Sequence, residues 1–573
     1  MANQSTSSSS SASATGAELI AAALKRQGVS VIFGIVGIPV VEVAEACQAA
    51  GIRFIGFRNE QSAAYAASAY GYLSRQPGVC LTVGGPGVVH GLAGLLNAKL
   101  NCWPLVLLSG SSDTDQIDMG AFQELDQVEA CKPYCKYAAR PMSIEKIPFV
   151  IEKAMRHTMY GRPGAAYVDL PADFIQYPIK RTSIDTLQVQ RTAELPLSMA
   201  DNTKVDEAVQ LLKHAKAPLI IVGKGAAYAR AEKEIQQLVE QTEIPFLPTP
   251  MGKGVLSDTN RLCVAAARSQ ALKEADVVLL LGARLNWILH YGLSPRWSTH
   301  VKFIHVDVQA EETGNNGVNT TPLIGDIRLV VSQLLSRPLP RFSANPYVHA
   351  LVDRVQENKQ KAAAKPAGST RDIMTYQMAF KVIKDLLPAE DVVYISEGAN
   401  TMDIARSFFD VHEPRHRLDA GTGATMGVGM GYAIAAQVYY RTKRVVSIVG
   451  DSAFGFSAME LETAVRSQVP LLILVINNNG LYHGLEDADY DASRRIGTLP
   501  STALSPETRY DMLATACGGK GWLAKNQEEL ALALTEALTA YKDAVCVINV
   551  MIAPGGRKKL EFGWMNKAEK AKI

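Results

Sequence analysis

A chain of 573 residues is too long for one hydrophobic core of ordinary size, so several domains in series are expected. With 47% hydrophobic and 20% charged residues it has the composition of a soluble globular protein, and a formal net charge of +2 gives no global field for nucleic acid or an anionic membrane. The cysteines at 47, 80, 102, 131, 135, 263, 517 and 546 form no Cys-x-x-Cys pair, and read as reduced thiols rather than a disulfide framework or zinc site.

Residues 1–15 are Ser-rich and lack the basic start and apolar stretch of a secretion signal, so a disordered tail is expected. Over 16–182 the runs VSVIFGI, IRFIGFR, VCLTVGG, PLVLLSG and AAYVDLP alternate with Ala-rich segments of helical period such as QSAAYAASAYGYLS. Short β-branched runs bounded by Gly or Pro are buried parallel strands, and their alternation with helices predicts a doubly wound α/β domain. Residues 179–202 are polar and read as a linker. A second α/β domain is expected over 200–340, from PLIIVGKGA, ADVVLLLGARLNW, VKFIHVDV and TPLIGDI, followed by a connector that is helical and then flexible. A third spans 372–556, through DVVYISEGAN, RVVSIVGDSAFGF and VPLLILVINNNG, leaving 557–573 as a C-terminal lid and tail. No apolar run is long enough for a bilayer. The last residues, Ala571, Lys572 and Ile573, loosely match a peroxisomal address, so a peroxisomal location and an import receptor as partner are expected, with the cytoplasm as the alternative.

The third domain carries the most specific pattern. The strand VVSIV ends in Gly450 and Asp451, and a crossover helix leads to the strand LLILVI, which ends in three asparagines and Gly480. Two neighbouring parallel strands thus deliver a carboxylate and a carboxamide to the edge where open α/β sheets bind ligands. Magnesium takes a few hard oxygens in octahedral array, and Asp451, the Asn478 side chain and a carbonyl near Gly480 would supply three, with phosphate and water completing the set. The N-terminus of the crossover helix would face a diphosphate. Either half alone reads as a helix cap or a turn.

The Gly-Asp…Asn-Asn pattern, with Asn478 27 residues after Asp451, resembles that of thiamine-diphosphate enzymes, and the three-domain order is similar. Ser452 stands where that family usually has glycine. The resemblance implies pyrimidine-binding, central and diphosphate-binding domains, with thiamine diphosphate and magnesium as cofactors. It makes Glu60, directly after IRFIGFRN, the carboxyl that shares a proton with the aminopyrimidine, which requires a site that raises its pKa. It makes Met426 the apolar wedge under the thiazolium and the carbonyl of Ala424 the acceptor for the amino group. It further implies sites shared between subunits, hence a dimer at least and commonly a tetramer.

The segments IVGIPVVEVA, RNEQSAAYAASAYGYLS, GGPGVVHGLAGLLNA, GAFQELDQ, GARLNWILHYG, SEGANTMDIAR and GDSAFGFSAMELET narrow the resemblance to 2-hydroxyacyl-CoA lyases and their sister group, the oxalyl-CoA decarboxylases. The implied reaction splits a 2-hydroxyacyl-CoA, through a thiamine-bound carbanion, into formyl-CoA and an aldehyde one carbon shorter. The alternatives are decarboxylation of oxalyl-CoA and a cofactor-binding homologue without turnover. Phe122 and Gln123 replace the Tyr-Glu of the decarboxylases, and Gly555, before Gly556 and Arg557, replaces a lid serine. A less polar pocket suits an acyl chain, and Gln123 and Tyr482 are expected beside the reacting carbon. Gln123 also reads as a plain surface amide, and Glu124 and Asp126 as interface or helix-surface groups. GKGAAYAR lacks the third glycine of a dinucleotide site, with Tyr228 in its place. In the decarboxylases the central domain binds ADP as activator, and Arg162, Lys224, Asp307 and Asp326 match those positions. The phosphates of CoA are expected at Arg268 and Arg417, residues that also read as surface ion pairs.

Overall fold

The computed structural model describes residues 13–364, 373–482 and 484–555. They fall into two compact units divided between Leu195 and Pro196.

The first unit contains strands β1 (Ser13–Thr15), β2 (Val31–Gly34), β3 (Arg53–Gly56), β4 (Gly78–Thr82), β5 (Leu105–Ser111), β6 (Tyr137–Ala139), β7 (Ala165–Pro171) and β8 (Pro178–Lys180). Six of them form one parallel sheet in the order β3-β2-β4-β5-β7-β6. Its central strands β4, β5 and β7 are buried along their whole length, which is why they read as unbroken apolar runs. The order reverses between β2 and β4, and a crevice opens beyond the carboxyl ends of the strands at such a point. The helices Glu60–Ser74 and Pro86–Asn101 follow β3 and β4. They approach so closely that a Cβ on Gly94 would lie 2.2 Å from that of Ala64, so Ala and Gly in both sequences set the spacing. One expectation is corrected. Residues 13–15, assigned to the tail, pair antiparallel with Pro178–Lys180, and Thr15 closes a capping box with Glu18 on the helix Gly16–Arg26. Residues 1–12 lie outside the described residues, as do 556–573 with the lid, Gly556, Arg557 and the peroxisome-like tripeptide.

The second unit holds two parallel sheets. β9 (Pro218–Val222), β10 (Phe246–Pro248), β11 (Val277–Leu281), β12 (Lys302–Asp307) and β13 (Thr320–Ile324) run in the order β10-β9-β11-β12-β13. β14 (Val392–Glu397), β15 (Arg417–Asp419), β16 (Arg444–Gly450), β17 (Leu472–Asn477), β18 (Lys520–Ala524) and β19 (Cys546–Met551) run in the order β15-β14-β16-β17-β19-β18. The switch point of this last sheet lies between β14 and β16, the strands that end in Glu397 and Gly450. Helix Pro346–Ala364 supplies the expected helical connector. The two sheets are bolted together by Lys253, a buried ammonium that pairs with buried Asp258 at 3.0 Å and donates to the carbonyls of Arg406 and Phe409. Asp258 in turn accepts from the amide of Val411 at 2.8 Å. No helix among the described residues is long and apolar enough to cross a membrane.

Candidate active site

Asp451 opens the helix Asp451–Gly455 directly after β16 and is buried. One carboxylate oxygen accepts from Ser452 N at 2.7 Å, the other from Gly480 N at 3.0 Å, so the side chain spans the ends of β16 and β17. Burial pushes its carboxyl up to about 6, and the backbone amides of 452 and 478–480 pull the other way; among the described residues no cationic side chain pairs with it. Asn478 is buried beside it and points its amide nitrogen at the carbonyl of Tyr482, 3.3 Å away, where Asn400 also donates at 2.8 Å. That leaves the Asn478 amide oxygen as a hard acceptor. The turn is held by left-handed Asn479 and Tyr482, and by a contact so close that a Cβ on Gly484 would lie 1.7 Å from the Asn478 carbonyl. Among the described residues no group of three or more His, Cys, Asp or Glu could hold a metal. A cation here would instead use a carboxylate, an amide oxygen and a carbonyl, and a buried carboxylate without a counter-cation suits a hard divalent ion.

Across the switch point, buried Glu397 accepts from the amides of Gly427 and, at 2.7 Å, Gly429. Sequence reasoning missed it. Its signal is a Glu-Gly at a strand end together with Gly-x-Gly at a later helix start. The turn it grips carries Ala424, left-handed (φ 49°) and exposed, and half-buried Met426. At its other end Thr422 receives Arg284 on its hydroxyl and Trp287 on its carbonyl, each at 3.0 Å. Lys224 reaches the same hydroxyl at 3.4 Å.

In the first unit Glu60 is the opening residue of its helix, and Asn59 caps the amides of Gln61 and Ser62 at 2.8 and 3.4 Å. Its carboxylate lies 3.0 Å from Nδ1 of His90, on the helix after β4. The loop after β5 comes to the same sheet edge. Glu124 accepts the amides of Asp118, Gly120 and Ala121 at 2.5, 2.8 and 2.9 Å, so it is a loop staple rather than a helix-surface charge. Those three amides hold its carboxyl below the usual glutamate value. Asp126 caps the helix Gln127–Cys131. The stapled loop leaves Phe122 68% exposed, and sets Gln123 in the left-handed region with its carbonyl against Gly85, where a Cβ would come within 2.6 Å. Gln127, also missed from sequence, fixes this contact: its oxygen accepts from Gly85 N at 2.7 Å and its amide donates to buried Asp169 at 2.6 Å.

Other expected residues scatter. Asp307 and Asp326 sit at the ends of neighbouring strands β12 and β13, the first accepting from Gln309 N at 2.9 Å, the second capping the helix Ile327–Leu335. Arg162 lies in the first unit, its carbonyl accepting from Lys136 at 2.7 Å. Arg268 donates to the Ile288 carbonyl at 2.6 Å and lies 2.9 Å from His290 Nε2. Burial, with Arg406 and Arg296 nearby, pushes its guanidinium down to about 10. The pairing of Arg268 with Arg417 is corrected: Arg417 is fully buried on β15 and its guanidinium donates to the Met402 carbonyl, so it is closed to a phosphate. All eight cysteines are free.

Three family models match the chain: the N-terminal thiamine pyrophosphate-binding domain over 14–130, the central domain of thiamine pyrophosphate enzymes over 205–334 and the C-terminal thiamine pyrophosphate-binding domain over 397–550. The chain is 49% identical over 568 residues to 2-hydroxyacyl-CoA lyase 1 of Homo sapiens, covering 97% of each chain. It is 45% identical over 553 residues to 2-hydroxyacyl-CoA lyase of Arabidopsis thaliana, covering 94% of this chain and 96% of that one. Oxalyl-CoA decarboxylase of Escherichia coli is 41% identical over 544 residues, covering 94% and 95%. Glu60, Asp451, Asn478 and Glu397 all fall within the matched thiamine pyrophosphate-binding domains, and the chain belongs to the thiamine pyrophosphate enzyme family that includes the 2-hydroxyacyl-CoA lyases and oxalyl-CoA decarboxylase.

Proposed function

We propose that this chain is a carbon–carbon lyase that cleaves 2-hydroxyacyl-CoA to formyl-CoA and an aldehyde one carbon shorter. The observation that carries the choice of substrate is the loop after β5, which holds the exposed Phe122 and uncharged Gln123 at the sheet edge shared with Glu60. The Tyr-Glu pair that the resemblance gives the oxalyl-CoA decarboxylases makes a more polar pocket, as a small polar head requires. An amide beside an aromatic ring suits an acyl chain carrying a 2-hydroxyl, whose proton Gln123 would help orient. The 41% identity to an oxalyl-CoA decarboxylase keeps that activity as the second reading. A homologue without turnover is the third, and the retention of Glu60 and Asp451 counts against it.

Thiamine diphosphate, when bound, supplies the nucleophilic carbon and the electron sink that the cleavage needs. Asp451, the Asn478 amide oxygen and the carbonyl of Gly480 would hold magnesium, and Gly450 and Ser452 would lie along the diphosphate. Glu60 would hold the proton shared with the aminopyrimidine, and His90, 3.0 Å from its carboxylate, would orient it. The Ala424 carbonyl would accept from the pyrimidine amino group, Met426 would support the ring, and Tyr482 would lie near the reacting carbon. Arg268, with Arg296 and Arg406 as neighbours, is the positive cluster suited to the phosphates of CoA. Lys224, Asp307 and Asp326, all in the second unit, would serve an ADP activator. A homodimer or tetramer would join pyrimidine and diphosphate halves, and a peroxisomal location would follow from the C-terminal tripeptide.

The test is formyl-CoA release from 2-hydroxyoctadecanoyl-CoA and from oxalyl-CoA, side by side, with thiamine diphosphate and magnesium. Formyl-CoA with the matching aldehyde from the first alone is expected. Product from oxalyl-CoA alone would overturn the Phe122–Gln123 argument, and silence with both, despite bound cofactor, would favour the non-catalytic reading.

A further inference from the structure

Glu397 has no part in the mechanism above, yet it is among the most deeply buried acids of the second unit, with its residue 0% exposed. It ends β14 opposite Asp451 at the switch point, and Gly398 then turns with φ +88°, so that a Cβ there would lie 3.3 Å from Gly450 N. Among the described residues the carboxylate is held by backbone alone. Gly427 and Gly429 donate to its two oxygens, and the amide of Val428 between them adds to the same field. These amides open the helix Gly429–Tyr439, whose free N–H groups and dipole favour an anion at that place. The glycines of this segment follow from the acid. Gly427 has φ +89°, and a Cβ on Gly429 would come within 2.5 Å of Glu397 Oε2. The turn 422–429 is therefore tied at both ends, by Arg284 and Trp287 on Thr422 and by Glu397 on the amides of 427–429, and between the ties it presents Ala424 and Met426.

We propose that Glu397 is a positioning residue for the cofactor, gripping the amides of 427–429 so that the turn aims the Ala424 carbonyl and the Met426 side chain at thiamine diphosphate. The inference rests on the reading of Ala424 and Met426 as cofactor contacts. A carboxylate is required because both facing groups are donors. A glutamine would turn its own NH2 toward one of them, leaving donor against donor at a buried position. Burial raises the carboxyl to about 7 while the three amides lower it, and no charged side chain enters the balance, so the grip weakens as the group takes up a proton.

The experiment compares wild type, Glu397→Gln and Met426→Ala as full-length protein. Two quantities are read: the Kd of thiamine diphosphate with magnesium at pH 8, by calorimetry, and amide-exchange protection of the segment 420–430 in the cofactor-free protein. Glu397→Gln is expected to raise the Kd about tenfold or more, the scale of a lost charge-assisted hydrogen bond. It is also expected to cut protection of 420–430 about tenfold while β16 and β17 keep theirs. Unchanged Kd and protection would overturn the proposal, and so would a loss of protection spread evenly over the sheet, which marks a purely structural acid. Met426→Ala separates the two levels. If it leaves the Kd unchanged, the reading of the turn as cofactor support fails. If it raises the Kd and Glu397→Gln does not, the inference about Glu397 fails alone. Should Glu397→Gln not fold, Glu397→Asp decides: it keeps both acceptor oxygens but falls one methylene short of the amides of 427–429, so protection of 420–430 must fall selectively, and unchanged protection overturns the proposal.

Discussion

Glu60 and Asp451 are both carboxylates that begin a helix at the carboxyl edge of a parallel sheet, one in each unit, yet their surroundings differ. Asp451 is buried, and both of its oxygens are engaged by amides of its own sheet. Glu60 is 14% exposed at the side chain, and its side-chain partner is His90, itself 57% exposed. A group that holds a cation must be fixed before the cation arrives, and backbone amides do that without mobile side chains. A group that shares a proton with a ligand must instead be completed by that ligand and by whatever covers the edge. The contrast fits a division of labour in which the second unit anchors and the first unit activates.

Breaking each carboxylate in turn sharpens that contrast. Asp451→Ala removes the proposed cation contact and should weaken magnesium-dependent binding of thiamine diphosphate at least about a hundredfold, above the usual 10–100-fold for an outer partner of a metal site. Calorimetry at fixed magnesium reads this, and binding within a few-fold of wild type would refute the metal assignment. Glu60→Gln should bind cofactor within about threefold of wild type yet lose about 100–10,000-fold in formyl-CoA release, the span of general acid–base contributions. Full activity in this variant would end the assignment of Glu60.

Much of the fold beneath this proposed division was legible in sequence, for a physical reason. Strands buried on both faces leave β-branched runs, and strand-end residues such as Asp451 and Asn478 are located as soon as the run is seen. Gln127 was not legible, and Glu397 only through the glycines around its partners, because those partners are backbone amides far along the chain, 30 residues away for Gly427 and 42 for Gly85. An amide carries no side-chain signature. Ser13–Thr15 was taken for tail because Ser-rich composition outweighs a three-residue strand whose partner lies beyond residue 177. Arg417 failed in the opposite direction: an arginine read as a phosphate contact sits inside a strand, where burial rather than charge decides its use.

The buried acids also set a cost in stability. The raised pKa of Glu397, from 4.5 to about 7, means that the folded protein binds its proton more tightly than the unfolded chain. That stability is fully present below about pH 4.5 and is lost as pH rises through about 7, on the order of 3 kcal/mol at 1.36 kcal/mol per unit. Glutamine carries no such slope. In cofactor-free protein, the urea stability of Glu397→Gln relative to wild type should therefore improve between pH 5.5 and pH 8, even as its cofactor affinity falls. An equal difference at both pH values would show that the carboxyl is not titrating there. An acid that costs stability at the pH where its variant binds cofactor worse is retained for the geometry it imposes.

The smallest effect expected separates the first unit's loop from its carboxylate. Glu124 staples three amides of 118–121, so its loss should loosen the segment that presents Phe122 and Gln123. Two of these bonds lie at an exposed surface where each is worth little, which limits the change. Glu124→Ala should raise the KM for the acyl-CoA about three- to fivefold, the scale of a fraction of one hydrogen bond, with the Kd of thiamine diphosphate unchanged. Steady-state kinetics and calorimetry on the same preparation check both halves. A change in cofactor affinity would mean that the loop supports the cofactor and not the acyl group, and the substrate argument built on Phe122 and Gln123 would then lose its footing.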